Sequence, residues 1–360
     1  MPEGHTVHRL ARTFASLYAG QTLRVSSPQG RFADGAAVLS GRRLVAGEAW
    51  GKQLFLGFAP ADGIADVDAS DTQATGVTSG SDTLWLRTHL GLYGAWTFAG
   101  APDAPEVAHA IGAPRKRIGE RETTAPAGPA PSARSTSGAE WTAPEPRGQV
   151  RVRLLGAHAV ADLTGPTACE VITAEEKTAV QSRLGPDPIR DDGDVEDFVA
   201  AVGRSRVTIG QQLMDQAVVA GVGNIYRAEA LFRAGVDPLR PGRDLPAATV
   251  RAIWHDLVTL MRAGAAQGAI VTTRPTDRPA RQAVRERGYD PGQGSGEHKP
   301  VVDGRRRTRQ NTDGLPDAVP ADQAFYVYHR DGLPCRVCGT PVLVKELAGR
   351  NLFWCPTCQT

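Results

Sequence analysis

What the chain lacks already narrows its class. Its 360 residues contain no apolar run of the 18 or more residues that a membrane-spanning helix needs. Polar and charged residues interrupt the N-terminus from Glu3 onward, so we expect no secretory signal peptide and no Sec-dependent secretion. Cysteine is scarce, and four of the five cysteines fall in the last 26 residues, which argues against a disulfide framework.

Net charge is also small, at +2, and gives no sign of a nucleic-acid partner by itself. The distribution of charge is more informative. Residues 61–83 carry five aspartates and neither Lys nor Arg, so the remainder of the chain stands at +7. A basic body behind an acidic loop is therefore one interpretation of the near-neutral total.

The hydrophobic pattern changes along the chain and predicts an α+β protein of several domains. Residues 6–18 have helical spacing, and Gly20 follows as a stop. Short strand-like segments up to Cys169 then predict a mostly β first half, and Cys169 itself is interpreted as a small buried apolar residue. The later segments predict helices, with Asp244 as a cap for the last one. The predicted strands are 22–25, 42–46, 54–58, two within 84–98, 150–155 and 158–163, and the predicted helices are 195–203, 208–218, 225–234 and 247–263.

Three segments lack apolar periodicity and are interpreted as insertions. One of them contains a basic cluster at 305–309, for which a solvated charge run and a nucleic-acid contact are both open. The insertions are 61–83, 113–148 and 273–324, and the cluster is Arg305, Arg306, Arg307 and Arg309. The predicted domains are 1–170 (β-sandwich), 171–272 (helical), 273–324 (basic insertion) and 325–360 (zinc ribbon).

The C-terminal cysteines form two Cys-x2-Cys pairs with 16 residues between them. Each pair places two thiolates on one side of a tetrahedron, and two pairs complete it. The spacing predicts one structural Zn²⁺ in a four-cysteine ribbon, and a redox pair is the weaker alternative. The ligands are Cys335, Cys338, Cys355 and Cys358.

The first residues could carry chemistry. Removal of Met1 would expose Pro2 as a secondary amine, and an α-amine titrates near pH 8, well below lysine at about 10.4. Such an amine could attack a sugar aldehyde carbon and form an iminium, with Glu3 as general acid or base. A Pro-Glu start without function is the simpler interpretation of these two residues taken alone.

Two further features suggest phosphate binding. The turn Gly221–Gly223 leads into a helix through Asn224, a residue type that favours the N-cap position. Its backbone N–H groups could approach a phosphate, although a plain turn between helices explains the same residues. Gly349-Arg350 lies between the cysteine pairs. An arginine at such a hairpin tip could make a bidentate contact with a phosphate, or it could be exposed without a function.

Four segments in this order resemble the formamidopyrimidine-DNA glycosylase / endonuclease VIII family of DNA base-excision enzymes. The resemblance covers roughly two thirds of the chain and leaves out the three insertions. The segments are MPEGHTVHRL, LGPDPI, LMDQAVVAGVGNIYRAEALFRAGVDP and YHRDGLPCRVCGTPVLVKELAGRNLFWCPTCQ. The family fold that this implies is an N-terminal β-sandwich opened by a helix, a helix–two-turn–helix domain and a zinc ribbon.

The resemblance also implies roles for individual residues. Pro2 matches the nucleophile that forms a Schiff base with C1′, and Glu3 matches the acid/base that assists ring opening. Lys52 matches the phosphate-contacting lysine assigned to β-elimination. Asn224 matches the phosphate-binding asparagine, and Arg350 matches the arginine of the zinc finger that is assigned to δ-elimination. The four cysteines match the zinc ligands.

A flipped-out base leaves a hole in the duplex that side chains must fill. The segment His89-Leu90-Gly91-Leu92-Tyr93-Gly94 occupies the family's void-filling position. Leu92 and Tyr93 could wedge between bases, with ordinary strand core as the alternative. His89 could contact DNA, although a structural strand residue is the simpler interpretation.

One departure bears on the substrate. The commonest family start continues Pro-Glu with Leu-Pro-Glu, whereas this chain has Gly4, His5 and Thr6, as in an actinobacterial endonuclease VIII-like branch. We therefore predict a monomeric, cytoplasmic, nucleoid-associated glycosylase/lyase that acts on oxidised pyrimidines in duplex DNA, with single strands as a further open substrate, and that has no membrane partner. Oxidised purines, a non-catalytic DNA-binding zinc-ribbon protein and an RNA-binding zinc-ribbon protein are the alternatives.

Overall fold

The structure is a computed structural model that describes residues 2–61, 82–102, 104–105, 110–112, 141–278, 319–320 and 322–360. Most of the three predicted insertions, and the whole cluster Arg305, Arg306, Arg307 and Arg309, lie outside these residues. None of the helices in the described ranges is long and apolar enough to cross a membrane.

Seven α-helices and eleven strands are found in the described residues. The helices are α1 (Gly4–Tyr18), α2 (Ala33–Leu39), α3 (Ala174–Gln181), α4 (Val195–Gly203), α5 (Ile209–Gln212), α6 (Asn224–Arg233) and α7 (Ala247–Gln267). The strands are β1 (Arg24–Ser26), β2 (Arg43–Trp50), β3 (Gln53–Ala59), β4 (Leu84–His89), β5 (Ala95–Gly100), β6 (Ala110–Gly112), β7 (Val150–Leu155), β8 (Ala159–Thr164), β9 (Ala168–Ile172), β10 (Leu343–Leu347) and β11 (Arg350–Trp354).

The chain divides into two compact units. The first comprises Met1–Pro2, Leu10–Ala49 and Gln53–Thr178, and the second comprises Glu3–Arg9, Trp50–Lys52 and Ala179–Thr360. The first few residues of α1 and the turn between β2 and β3 thus belong to the second unit.

Two sheets make up the first unit. One has the strand order β1-β7-β8-β5-β6 and the other β2-β3-β4-β9. The later part of α1 contacts both of them. The Phe14 ring lies 4.8 Å from the Trp96 ring on β5, and Gly47 on β2 approaches the Ala11 carbonyl so closely that a Cβ would lie 2.9 Å from its oxygen. The predicted β-sandwich opened by a helix is confirmed.

The predicted first helix is confirmed and begins two residues earlier than expected. Val7, Leu10, Phe14 and Leu17 are buried, which is the spacing of one helix face. The chain leaves the helix through Gly20, whose φ of 77° lies in the left-handed region that glycine tolerates best.

Helices form the core of the second unit. Asp194 caps α4 by accepting a hydrogen bond from the Glu196 N–H at 2.7 Å, and Phe198 of α4 packs on Trp254 of α7 with ring centroids 5.5 Å apart. Buried side chains of the zinc-ribbon segment, including Phe353 and Cys355, belong to the same apolar cluster. The predicted helical domain and zinc ribbon therefore share one core.

Glu229 on α6 ties a later part of the chain to this core. Its buried carboxylate accepts hydrogen bonds from the N–H groups of Tyr326, Val327 and Tyr328, each at 2.8 Å, and from the Thr272 hydroxyl. Thr273 and Ala324, at the two ends of the predicted insertion 273–324, are buried. The insertion interpretation is wrong for these ends, because their polar backbone is bonded into the helical core.

Some elements differ from the sequence prediction. Helices α2 and α3 and strand β9 were not expected, and the predicted helix 208–218 is only the single turn α5 followed by turns. Asp244 does not cap α7, because Pro246 occupies the N-cap position and Asp244 lies in a short 3-10 helix. Cys169 is on β9 and only partly buried, contrary to the prediction, because β9 borders the four-stranded sheet at its edge.

Candidate active site and metal centre

Glu3 lies at the N-terminus of α6, more than 200 residues away in sequence. Its buried carboxylate accepts hydrogen bonds from the N–H groups of Gly223 at 2.9 Å, Ile225 at 2.8 Å and Tyr226 at 3.4 Å. These are donors that the first turn of a helix leaves unsatisfied, and the positive end of the helix dipole favours an anion there. Glu3 therefore caps α6 from outside the helix.

This arrangement corrects two predictions about the glycine turn. The N-cap of α6 is Gly223, whereas Asn224 is the first helical residue. The N–H of Gly223 donates to Glu3 and that of Gly221 to Gln216 Oε1, so these donors bind protein groups rather than a phosphate. Glycine is needed at 223 because a Cβ there would lie 2.5 Å from Cδ of Glu3.

Burial sets the proton affinities of Glu3 and Lys52. Loss of hydration raises the pKa of the Glu3 carboxyl, while the Lys52 ammonium and the N–H groups of Ile225 and Tyr226 act in the opposite direction. Burial lowers the pKa of Lys52, which the Glu3 carboxylate opposes and the positive charge of Arg350 reinforces. Burial thus favours the neutral form of both groups.

Lys52 follows Gly51 in the turn between β2 and β3, and the segment LGPDPI holds that turn. The buried Asp187 accepts the Gly51 N–H at 2.7 Å and the His8 ring at 2.7 Å, and the Trp50 indole donates to the Gly185 carbonyl at 3.1 Å. The motif that contributed to the family resemblance is therefore an anchor for the lysine turn.

The unusual residues after Glu3 have packing roles. The Gly4 N–H donates to the Gly221 carbonyl at 2.8 Å, and a Cβ on Gly4 would lie 2.8 Å from the Gly221 Cα. His5 is buried with its ring edge-on to Tyr226, 5.4 Å between centroids, and burial lowers the pKa of His5 to about 3. Both residues fasten the segment that carries Glu3 to the start of α6.

Asn224 contacts the zinc-ribbon hairpin. Its Nδ2 donates to the Asn351 carbonyl at 3.0 Å. The fully buried Arg227 donates to that carbonyl at 2.9 Å, to Asn224 Oδ1, and to the Gly210 carbonyl at 3.4 Å. Burial lowers the pKa of Arg227 to about 10. Arg227 was not predicted from the sequence, because its local signal is only that of a charged residue among small and apolar residues of a short helix.

Arg350 is the exposed first residue of β11 and pairs with Leu347 of β10. The tip of the hairpin is Ala348-Gly349, where both residues have positive φ. The positive charge of Arg350 lowers the pKa of both Lys52 and Arg227. The second unit thus brings together, in one electrostatically connected cluster, Glu3, Lys52, Asn224, Arg227 and Arg350.

The four C-terminal cysteines converge as predicted. All four Sγ atoms lie within 4.8 Å of one another, with Cys335–Cys358 at 3.9 Å and Cys338–Cys355 at 3.4 Å. A tetrahedron with Zn–S bonds of about 2.3 Å has edges of about 3.8 Å, so the spacing fits one Zn²⁺. Four thiolate ligands leave no position for water, which makes the zinc structural.

The remaining predicted site residues belong to the first unit. Pro2 is buried two residues before the start of α1. His89 ends β4, and its Nδ1 accepts the Gly91 N–H at 3.2 Å. Leu92 and Tyr93 are 41% and 70% exposed in the following turn, so the strand-core alternative for these two is wrong.

Family models match three parts of the chain. The formamidopyrimidine-DNA glycosylase N-terminal domain matches residues 1–117, the formamidopyrimidine-DNA glycosylase H2TH domain matches 184–275, and the zinc finger found in FPG and IleRS matches 332–360. These matches agree with the order of the sandwich, helical and zinc-ribbon parts.

Relatives and solved structures agree with the models. The chain is 38% identical to Endonuclease 8 1 of Mycobacterium tuberculosis over all 360 residues, covering 100% of both chains. It is 33% identical to formamidopyrimidine-DNA glycosylase of Thermus thermophilus over 177 residues, 49% of this chain and 54% of that one. The crystal structure of the latter organism's FPG protein superposes with a TM-score of 0.60 at 23% identity, covering 99% and 98% of the two chains.

A complex of Lactococcus lactis FPG with DNA containing Fapy-dG has the same fold, with a TM-score of 0.61 at 18% identity over the full length of both chains. The full-length match to Endonuclease 8 1 extends the likeness from fold to sequence. The chain therefore belongs to the formamidopyrimidine-DNA glycosylase / endonuclease VIII family of base-excision-repair DNA glycosylases.

Proposed function

We propose that this chain removes oxidised bases from DNA through a Schiff base on Pro2 and then nicks the strand by β,δ-elimination. The observation that carries the proposal is the buried Glu3 carboxylate, one peptide bond from Pro2 and close enough to Lys52 for each charge to shift the other's pKa. A carboxyl with a raised pKa at this point is suited to hold the proton that sugar opening requires.

The proposed first step uses the neutral Pro2 amine after Met1 has been removed. Its lone pair forms a bond to C1′, and the glycosidic bond breaks so that its electron pair leaves with the base. The amine proton goes to the departing base. The nitrogen lone pair then forms the iminium as the bond between C1′ and the ring oxygen breaks, and the Glu3 proton goes to that oxygen. The products are an open sugar, an iminium between Pro2 and C1′, and a Glu3 carboxylate that Lys52 and the α6 N–H groups stabilise.

The iminium makes the following eliminations possible because it acidifies the neighbouring carbon. Loss of a proton from C2′ expels the 3′ phosphate, and loss of a proton from C4′ expels the 5′ phosphate. We assign the first elimination, at the 3′ phosphate, to Lys52 and the second, at the 5′ phosphate, to Arg350. Hydrolysis of the iminium by water then returns the free Pro2 amine.

Asn224 and Arg350 are proposed to bind the DNA backbone. Asn224 lies at the start of α6, and Arg350 lies on the hairpin that is bonded to Asn224 through the Asn351 carbonyl. The exposed guanidinium of Arg350 suits phosphate oxygens, and such contacts position the strand without selecting a sequence. Arg227 belongs to this group as the buried link between the two.

The lesion class is proposed to be oxidised pyrimidines. The full-length relatives are named Endonuclease 8 1, whereas the relatives named formamidopyrimidine-DNA glycosylase match only about half of the chain. Oxidised purines are the alternative within the same mechanism. We also propose a monomer that acts on duplex DNA, with domain limits of 1–170 for the β-sandwich, 171–272 for the helical domain and 325–360 for the zinc ribbon.

The test is a panel of DNA substrates. Duplexes and single strands that carry an oxidised pyrimidine, an oxidised purine, an abasic site or no lesion are incubated with purified chain. Released bases are identified by mass spectrometry and cleaved ends by electrophoresis. We expect release of oxidised pyrimidines, with phosphates on both sides of the gap. Absence of release and nicking on every substrate would reject the enzyme proposal, and release of purines alone would reassign the lesion.

A further inference from the structure

The turn that carries Leu92 and Tyr93 rests on a second turn. We call residues Leu90–Gly94 the wedge loop and residues Gly165–Thr167, between β8 and β9, the support turn. The Thr167 N–H donates to the His89 carbonyl at 2.8 Å. Gly91 has a φ of 63°, and a Cβ on it would lie only 1.7 Å from Thr167 Oγ1. The Thr167 side chain therefore lies directly against the backbone of the wedge loop.

A second contact reaches the far end of the wedge loop. Gly165 has a φ of 62°, and a Cβ on it would lie 3.1 Å from the Tyr93 carbonyl oxygen. The wedge loop also closes on itself, since the Gly94 N–H donates to the Leu90 carbonyl at 2.8 Å. Both sides of the exposed pair Leu92–Tyr93 are thus held.

No side chain fits at residue 91, because Thr167 occupies that space. Thr167 thus supports the backbone of the wedge loop, from which Leu92 and Tyr93 are exposed. Inserting side chains into a base stack costs free energy, because stacking between the bases is lost. If the stacked bases displaced the wedge loop, its side chains would not separate them. A threonine packed against a glycine without a Cβ limits such a movement.

We infer that Thr167 is a positioning residue for the reaction, because it holds the wedge loop in the geometry that inserts into damaged duplex DNA. The inference rests on the proposed function and adds a residue outside the loop itself. It predicts that the role of Thr167 is specific to duplex substrates, since a single strand has no stack to be held open.

The experiment compares Thr167→Ala, which removes the hydroxyl and methyl groups, with Thr167→Ser, which keeps the oxygen that lies against Gly91. Thr178→Ala, an exposed threonine on α3 in the same unit, is the matched control. Each variant is assayed for kcat/KM on one lesion in a duplex and in the same strand alone. A 2-aminopurine next to the lesion reports unstacking directly, and thermal melting checks the fold.

We expect Thr167→Ala to lower kcat/KM on the duplex by about tenfold, to slow the fluorescence change, and to alter single-strand activity by less than about twofold. Thr167→Ser and Thr178→Ala should stay within about twofold of the wild type. Equal losses on duplex and single strand, or no loss on the duplex, would overturn the inference. If the wild type itself is inactive on both forms, the proposed function has failed rather than the role of Thr167.

Discussion

The wedge loop and the cluster around Glu3 depart from ordinary burial in opposite directions. In the first unit, Leu92 and Tyr93 are exposed although their side chains are large and apolar. In the second unit, Glu3 and Arg227 are fully buried although both are ionisable. Folding alone favours neither arrangement, because apolar groups gain from burial and charged groups lose hydration. Such departures are expected where a chain serves a ligand as well as its own core.

The two departures are stabilised by different means. The wedge loop depends on backbone geometry, with Gly91 and Gly165 at positive φ and a hydrogen bond that closes the turn. The Glu3 cluster depends on polar partners, since three N–H groups satisfy the carboxylate and two carbonyls accept from Arg227. We expect changes in the cluster to affect every DNA substrate and changes in the wedge loop to affect duplexes only.

The largest effect should follow from loss of the zinc ligand Cys355. Cys355→Ser or chelation should weaken DNA binding and nicking by about 100-fold or more, because metal binding is coupled to folding of the hairpin that carries Arg350 and Asn351. Binding is measured by fluorescence anisotropy and zinc content by metal analysis. Cys169→Ser, in the first unit, is the control and should retain zinc and activity. Full nicking by metal-free, folded protein would contradict this role of the zinc.

The next effect sharpens the contrast between base removal and strand nicking. Glu3→Gln should lower base excision by about 100-fold, the range expected for loss of a general acid. Cleavage of a preformed abasic site should fall much less, because the glycosidic bond is already broken. Single-turnover rates on both substrates measure the ratio, with Glu175→Gln, exposed on α3, as the control. Equal losses on the two substrates would assign Glu3 a purely structural role.

Smaller effects should come from the residues proposed to bind phosphate. Asn224→Ala and Arg350→Ala should each weaken binding by about tenfold, to damaged and undamaged duplexes alike. Arg227→Ala should be non-additive with Asn224→Ala, because the two side chains share the Asn351 carbonyl. Arg262→Ala, an exposed arginine paired with Asp191, should change little. A loss confined to damaged DNA would mean that these residues read the lesion.

The smallest effect concerns stability. Burial raises the pKa of Glu3 above its ordinary value of 4.5, so the folded state binds the proton more tightly than the unfolded state does. Glu3 therefore makes the protein less stable as pH rises above 4.5, up to the pKa of the folded state. Glu3→Gln should raise Tm by a few degrees at pH 7, and the difference should shrink at pH 4. A lower Tm for Glu3→Gln at pH 7 would show that the three hydrogen bonds outweigh the loss of hydration.

Local patterns in the sequence were sufficient for much of the fold. The cysteine spacing predicted the metal centre because each Cys-x2-Cys turn is a local structure. The spacing of Val7, Leu10, Phe14 and Leu17 likewise predicted the first helix. Short elements such as α2 and α3 were missed, because fewer than nine residues give too little periodicity to recognise.

The cluster around Glu3 could be predicted only in part. Asn224 is of a residue type that favours the N-cap position, but the carboxylate that caps α6 belongs to Glu3. No local pattern reveals a partner so distant in sequence. The same limit applies to Asp187, whose bond to Gly51 fixes the Lys52 turn, and to the link from Arg227 to Asn351. The resemblance supplied residue roles, whereas the contacts that orient them required three-dimensional structure.

The central claim is that the reacting nucleophile is the amine of Pro2, and one measurement tests it most directly. Chain with a free Pro2 is compared with chain that retains Met1 or carries a blocking group before Pro2, each with an abasic duplex and borohydride. We predict a reduced covalent adduct that maps to Pro2 in the free form and no adduct in the blocked forms, because an amide nitrogen is not nucleophilic. Normal trapping by chain with a blocked N-terminus would assign the nucleophile to a lysine and contradict the account.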